Sequence, residues 1–219
     1  MTTDTLSTLR TTLLAAAEAE HAPAMRAYMR DQFEFLGVRT PQRRAACKPV
    51  LATLKGQPAA ALLELAHALW QQPQREFQYV AIDLLAQHWK QLDDSHLPAL
   101  LQLVQQRSWW DSVDGLAGVI GDVLRYQHEG MDDAIAHENL WVRRIALLHQ
   151  LGWRGKTDCE RLFRYALQCA HEQEFFIQKA IGWVLRDYAR HDPQAVRRYT
   201  SEHQQQLAPL SYREARKHL

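Results

Sequence analysis

The sequence predicts an all-α fold, a right-handed α–α solenoid of stacked helix pairs with a concave inner face. Three observations carry it. Apolar residues recur at helical spacing along the chain, with no convincing strand pattern. Only 9 Gly and 8 Pro punctuate 219 residues, too few for the tight turns of a β-sandwich or barrel. A repeat underlies the pattern: Phe77–Ala81, Trp110–Asp114, Val142–Ala146 and Ile177–Ile181 align at steps of 33, 32 and 35 residues. That is the size of a two-helix unit, which cannot bury its apolar stripe alone and must stack on its neighbours.

In chain order, Thr40 and Pro41 read as N-cap and first helical residue of a helix over 42–54. Leu62, Leu65, Ala66 and Leu69 keep helical spacing, as do Leu97, Leu100, Leu101 and Val104. Thr157 to Glu160 and Ser211 to Glu214 both fit the capping box, in which each end satisfies a free backbone N–H. Roughly a dozen helices joined by short loops result. No Gly- or Ser-rich linker interrupts them, so residues 1–219 read as a single domain.

With 47% apolar and 23% charged residues the chain buries a real core. Its net charge of +1 excludes a globally basic nucleic-acid binder, but the total hides an asymmetry. Residues 1–138 carry 12 Lys and Arg against 17 Asp and Glu, whereas residues 139–219 carry 14 against 8. Of the 26 basic residues 20 are Arg, whose planar fork suits phosphate. A basic half fits a local nucleic-acid face as well as a solvated helix surface. Three cysteines (Cys47, Cys159, Cys169) without a CxxC give neither a disulfide framework nor a cysteine zinc site. No apolar run reaches the roughly 18 residues a membrane span needs, and the N-terminus makes a poor signal peptide. A reduced, cytoplasmic monomer is the expectation.

The repeat exposes one anomaly. Its fifth slot holds Ala81, Ala146 and Ile181, but Asp114 in the second unit. A carboxylate on such a surface loses hydration and needs a partner or a purpose. Trp110 lies four residues earlier, on the same helix face. From spacing alone, an Asp paired to a neighbouring-helix Arg fits equally well. Trp183 fits core packing too, beside Ile177, Ile181 and Val184. His-Glu occurs at 128–129, 137–138 and 171–172 without continuing to HExxH, and the zinc-deaminase pairing is absent. There is no P-loop, GxGxxG or GxSxG. Neither a metal nor a nucleotide cofactor is expected.

Two stretches are specific: Ser108–Asp114 and Glu174–Arg186. With Tyr28-Met29, Phe35–Pro41, Arg75–Gln78 and Leu207–Ser211 they make the chain resemble the AlkD-type bacterial alkylpurine DNA glycosylases from about residue 25 onward. The resemblance implies HEAT-like repeats wrapped around double-stranded DNA, and release of purines alkylated at N3 or N7, such as 3-methyladenine and 7-methylguanine. It places the catalytic aspartate on Asp114, the groove tryptophans on Trp110 and Trp183, and groove arginines on Arg144 and Arg186. Tyr28, Arg39 and Thr40 fall in matching segments as DNA contacts, although Arg39 stands where a glutamine is expected. Arg144 and Arg186 are expected to hold phosphates, with Arg43, Arg44, Arg143 and Lys179 as weaker candidates. Two other readings compete: a non-catalytic HEAT-like module that binds damaged or branched DNA, and a helical-repeat adaptor for another protein. The adaptor needs none of Trp110, Asp114 and Trp183.

Overall fold

The computed structural model describes residues 2–219. Among them, thirteen α-helices and four short 3₁₀ turns supply all regular structure apart from one isolated bridge, Glu34 to Gln74. The fold is all-α, as the periodicity requires. No helix of the described residues is long and apolar enough to cross a membrane. The three cysteines are free.

Contacts divide the chain into two compact units, the first ending at Asp93 and the second spanning Asp94–Leu219. The first holds α1 (Thr2–Ala15), α2 (Ala22–Tyr28), α3 (Thr40–Ala52), α4 (Ala59–Trp70) and α5 (Arg75–Gln87). There α4 packs on α5, and α1 and α5 both pack on α3. The second holds α6 (Leu97–Val104), α7 (Trp110–Leu124), α8 (Met131–Ile135), α9 (Leu140–Leu148), α10 (Cys159–Gln168), α11 (Phe175–Ala189), α12 (Pro193–Glu202) and α13 (Pro209–Ala215).

The repeat is visible in this order. Phe77, Trp110, Val142 and Ile177 fall in α5, α7, α9 and α11, each preceded by a shorter or equal partner helix. In the second unit α7, α9, α11 and α13 touch in succession and form one row. Two glycines let that row close up. A Cβ at Gly121 would stand 2.2 Å from the His149 carbonyl oxygen, and one at Gly182 would stand 2.5 Å from Glu214 Cβ. The slot shared by Ala81, Asp114, Ala146 and Ile181 is a buried one: its three apolar members are fully enclosed.

Three local readings need correction. The N-cap of α3 is Arg39, with Thr40 already helical and no side-chain cap bond. The cap of α10 is Asp158, not Thr157: its Oδ1 accepts from the Arg161 amide at 3.0 Å. At α13 the cap is Ala208, and the Ser211–Glu214 pair serves α11 instead. Ser211 Oγ donates to the Gln178 carbonyl at 2.9 Å, and Glu214 meets the two cations described below. A local capping motif and a tertiary contact use the same residue types, and here the neighbouring helix offers the better partner.

A polar knot joins the loop after α7, the end of α9 and the start of α10. His149 Nδ1 lies 2.7 Å from the Ala146 carbonyl, so it must donate there, leaving Nε2 as the acceptor for His128 Nδ1 at 3.0 Å. His128 Nε2 then faces Asp158 at 3.7 Å. Burial holds His149 neutral and lowers its pKa to about 3.

Candidate active site

In the second unit the first turns of α7, the middle of α9 and one face of α11 enclose a cavity of about 360 Å³. Trp110 and Asp114 reach it from α7 and Arg144 from α9, while Phe175, Phe176, Lys179, Trp183 and Arg186 come from α11. The helix periodicity dictates this set. Trp110 and Asp114 are four apart, and Phe176, Lys179, Trp183 and Arg186 run at i, i+3, i+7 and i+10.

Asp114 is held from behind. Arg144 Nε donates to its Oδ1 at 2.8 Å and Nη2 to its Oδ2 at 2.9 Å, a bidentate fork. The third edge of the guanidinium, Nη1, donates to the Phe176 carbonyl and so ties α7, α9 and α11 together. Arg144 is buried, but the Asp114 side chain keeps 16% of its surface exposed, in the cavity wall. Burial pushes the Asp114 carboxyl above its ordinary value; the Arg144 hydrogen bonds and charge pull it back, and Asp111 adds a small push upward. With an N–H aimed at each oxygen, the geometry is that of a carboxylate.

The two cations on α11 are also partnered. Glu214, on α13, accepts from Arg186 Nη1 at 2.5 Å and faces Lys179 Nζ at 3.2 Å. Arg186 first, then Lys179, holds the Glu214 carboxyl below its usual range. Counting Asp114 and Glu214 against Arg144, Lys179 and Arg186, the cavity carries an excess of one positive charge. Behind Phe176, Trp109 and Trp141 stack edge and tilt against its ring at 5.1 and 5.0 Å.

The remaining expected contacts lie elsewhere. Arg143 donates from Nε and Nη2 to Glu172 at 2.9 and 2.6 Å and from Nη1 to two carbonyls, which ties it to the start of α9. Tyr28, Arg39, Thr40, Arg43 and Arg44 belong to the first unit. Arg43 is buried there: Nε and Nη2 donate to Asp83 Oδ2, and the guanidinium lies 4.9 Å from the Tyr79 ring centroid, so it has no surface to offer. Arg44 shares Asp83 but stays exposed. Tyr28 is 70% exposed. Arg39 is exposed at the start of α3, where Glu76 grips the preceding loop by accepting the amides of Leu36, Gly37 and Val38.

Residues 9–219 match the DNA alkylation repair enzyme family. The chain belongs to this family. It is 37% identical to a protein of Enterococcus faecalis described as a predicted DNA alkylation repair enzyme, over 93% of this chain and 96% of that one, with a TM-score of 0.86. Two Streptococcus mutans structures share the fold at lower identity. AlkD2 is 19% identical over 78% of this chain and 87% of its own, TM-score 0.61; the protein smu.31 is 18% identical over 78% and 90%, TM-score 0.62. No curated protein matches the sequence. Membership gives the chain a role in DNA alkylation repair and implies that it binds DNA.

Two residues lining the cavity, and one that pairs with its cations, were not singled out by the sequence pattern. Phe175 and Phe176 open α11, and the i, i+7 spacing of Phe176 to Trp183 was the signal available for one of them. Glu214 has partners 28 and 35 residues away on another helix, so its only signal is a separation near the repeat length. Among the described residues, Glu18, Glu20 and His21 have ligand-like spacing, but they sit on a surface turn of the first unit where Glu18 already engages His21 and Gln42. They add nothing to the cavity's chemistry.

Proposed function

We propose that this protein is a DNA glycosylase that hydrolyses the N-glycosidic bond of N3- and N7-alkylated purines, such as 3-methyladenine and 7-methylguanine, in double-stranded DNA. The observation that carries the reading is Asp114: a carboxylate in an otherwise apolar repeat slot, oriented by Arg144 and lining one cavity with Trp110 and Trp183.

An N3- or N7-alkylated purine is cationic, so it departs as a neutral base without a general acid. When the C1′–N bond breaks, its electron pair goes to the base and the positive charge moves onto the deoxyribose. A carboxylate oxygen about 4 Å from that sugar, at an effective dielectric of about 20, stabilises it by roughly 4 kcal/mol. Realised mainly in the transition state, this is a rate gain of about a thousandfold. Water then adds at C1′ and releases a proton, for which Asp114 is a nearby acceptor. Arg144 is a positioning residue: it keeps Asp114 ionised and aimed, with both oxygens fixed before the substrate arrives. The faces of Trp110 and Trp183 contribute about 0.5–2 kcal/mol each against a cationic ring or sugar. Arg186 and Lys179 contact backbone phosphates beside the lesion, exchanging Glu214 for DNA.

A second reading is a non-catalytic DNA-binding module, and the bidentate engagement of Asp114 by Arg144 favours it, since that pair would then be structural. Free base released from a 7-methylguanine duplex separates the two. Wild type should release it and Asp114→Asn should be about a thousandfold slower while still binding the duplex. No release by wild type ends the enzyme reading; equal release by both ends the role of Asp114.

A further inference from the structure

A second cavity of about 360 Å³ lies in the same unit, lined by Gly152, Arg154, Asp187, Arg190 and His191. It shares no residue with the site above. Its floor is tied together. The Gly152 amide donates to Asp187 Oδ2 at 3.0 Å, and Gly155 packs so near the His191 ring that a Cβ there would stand 3.1 Å from Cε1. The loop after α9 is thereby pinned to the last turn of α11. Two arginines line this hollow. Arg154 comes from the loop, in a left-handed conformation with φ 56°. Arg190 follows the last residue of α11 and is 74% exposed. The carboxylate in the lining, Asp187, lies 3.9 Å from Arg190 and is already an acceptor for Gly152, so positive charge is in excess.

Arg190 also continues a stripe. Lys179, Trp183, Arg186 and Arg190 follow at steps of four, three and four residues, which puts them on one face of α11. The last step advances about 6 Å along the axis. A single cation at a helix C-terminus answers the helix dipole and needs no ligand. The second arginine, brought from a separate segment to the same hollow, is what the dipole does not account for.

We propose that this cavity is a phosphodiester site, which takes a backbone phosphate of the DNA strand where it leaves the reaction cavity. The inference rests on the DNA-repair reading for its ligand and adds Arg154 and Arg190 as contacts.

The test is binding of an undamaged fluorescent duplex across a salt series, by anisotropy, for wild type, Arg154→Gln, Arg190→Gln, the double variant and Arg190→Lys. Both arginines are exposed, and unchanged thermal melts would show the fold intact. Each Gln variant should bind more weakly and lower the slope of log affinity against log salt by about one, the double variant by about two. Arg190→Lys should keep the wild-type slope. Release of 7-methylguanine at saturating duplex should be unchanged in all of them. A double variant with the wild-type slope overturns the phosphodiester site and leaves the glycosylase reading standing. A wild type that binds no duplex overturns both.

Discussion

Glu214 accepts a hydrogen bond from Arg186 across the contact of α11 with α13, Nη1 to Oε2 at 2.5 Å. The same carboxylate holds Lys179 with its other oxygen. Lys179 and Arg186 are therefore both neutralised in part by one acid, and a phosphate bound by them would have to compete with it. Glu214→Gln should free them: duplex affinity rises and its salt dependence steepens by about one counterion. Anisotropy titrations at several salt concentrations check this, and weaker binding by the variant would show that Glu214 presents the cations rather than restrains them.

Gly182 sets the distance at which that clamp works. A Cβ there meets Glu214 Cβ at 2.5 Å and the Ser211 carbonyl oxygen at 3.0 Å, so Gly182→Ala forces α13 outward. Overpacking of this kind costs about 1–3 kcal/mol, which urea unfolding would measure. The displaced Glu214 should also shift duplex binding in the direction that Glu214→Gln does. A variant as stable as wild type would mean that α13 yields freely.

Burial raises the Asp114 pKa, and Arg144 opposes that rise without cancelling it. The folded state therefore holds the Asp114 proton more tightly than the unfolded chain does. This contribution favours folding at low pH and is lost as pH rises through the raised value. Base release, which needs the carboxylate, should fail on the acid side above the ordinary Asp range. In Arg144→Gln the restraint is gone and the acid limb should move further upward. Stability at neutral pH should fall by about 3 kcal/mol or more, because a buried charge loses its partner. Single-turnover profiles against pH read the first effect and urea titration the second; an unmoved acid limb would remove Asp114 from the rate-limiting step.

His149 gives a different pH signature. Its folded pKa of about 3 lies below the unfolded value of about 6.5. The unfolded chain therefore takes up the proton first, and stability is lost as pH falls from about 6.5 toward 3. His128 is lowered as well, first by burial and then by the charge of Arg161, with Arg164 adding to it and Asp158 and Asp132 opposing, and it acts in the same direction. The carboxyls of Asp132, Asp158 and Glu214 are held low and contribute only further down, while Asp114 acts with the opposite sign. His149→Gln keeps a donor for Ala146 and an acceptor for His128 without titrating. Its urea midpoint should vary less between pH 7 and about 4.5, and an equal slope would assign the loss to other groups.

The repeat made the helix pairs legible, because burying one stripe per helix imposes a period that survives in Phe77, Trp110, Val142 and Ile177. It also exposed Asp114 as foreign to its slot. An arginine of a neighbouring helix was one of the two readings open for it, and Arg144 is that arginine; what the pattern did not carry was which residues pair. Arg144 meets Asp114 30 residues away, Arg143 meets Glu172 at 29 and Arg43 meets Asp83 at 40, each on an adjoining segment. Each of these arginines, read as a phosphate ligand, is bonded to a carboxylate of an adjoining segment. The separations of 30 and 29 are near the repeat length, so acids and bases about one repeat apart were the available clue for those two pairs. Ser211 and Glu214 went the same way: two residues that match a cap locally are drawn to α11, where the close approach at Gly182 lets them bond.

The fork joining Arg144 to Asp114 has a consequence for how a polyanion arrives. Two opposite charges under 3 Å apart form a dipole, whose field fades faster with distance than that of a lone ion, and beyond roughly 10 Å salt erases most of what is left. A duplex drifting toward the cavity is thus not turned away by its acid. Only a group lodged against the wall feels the bare edge of the carboxylate, so the repulsion that would hinder docking and the attraction that would assist bond breaking act at different ranges.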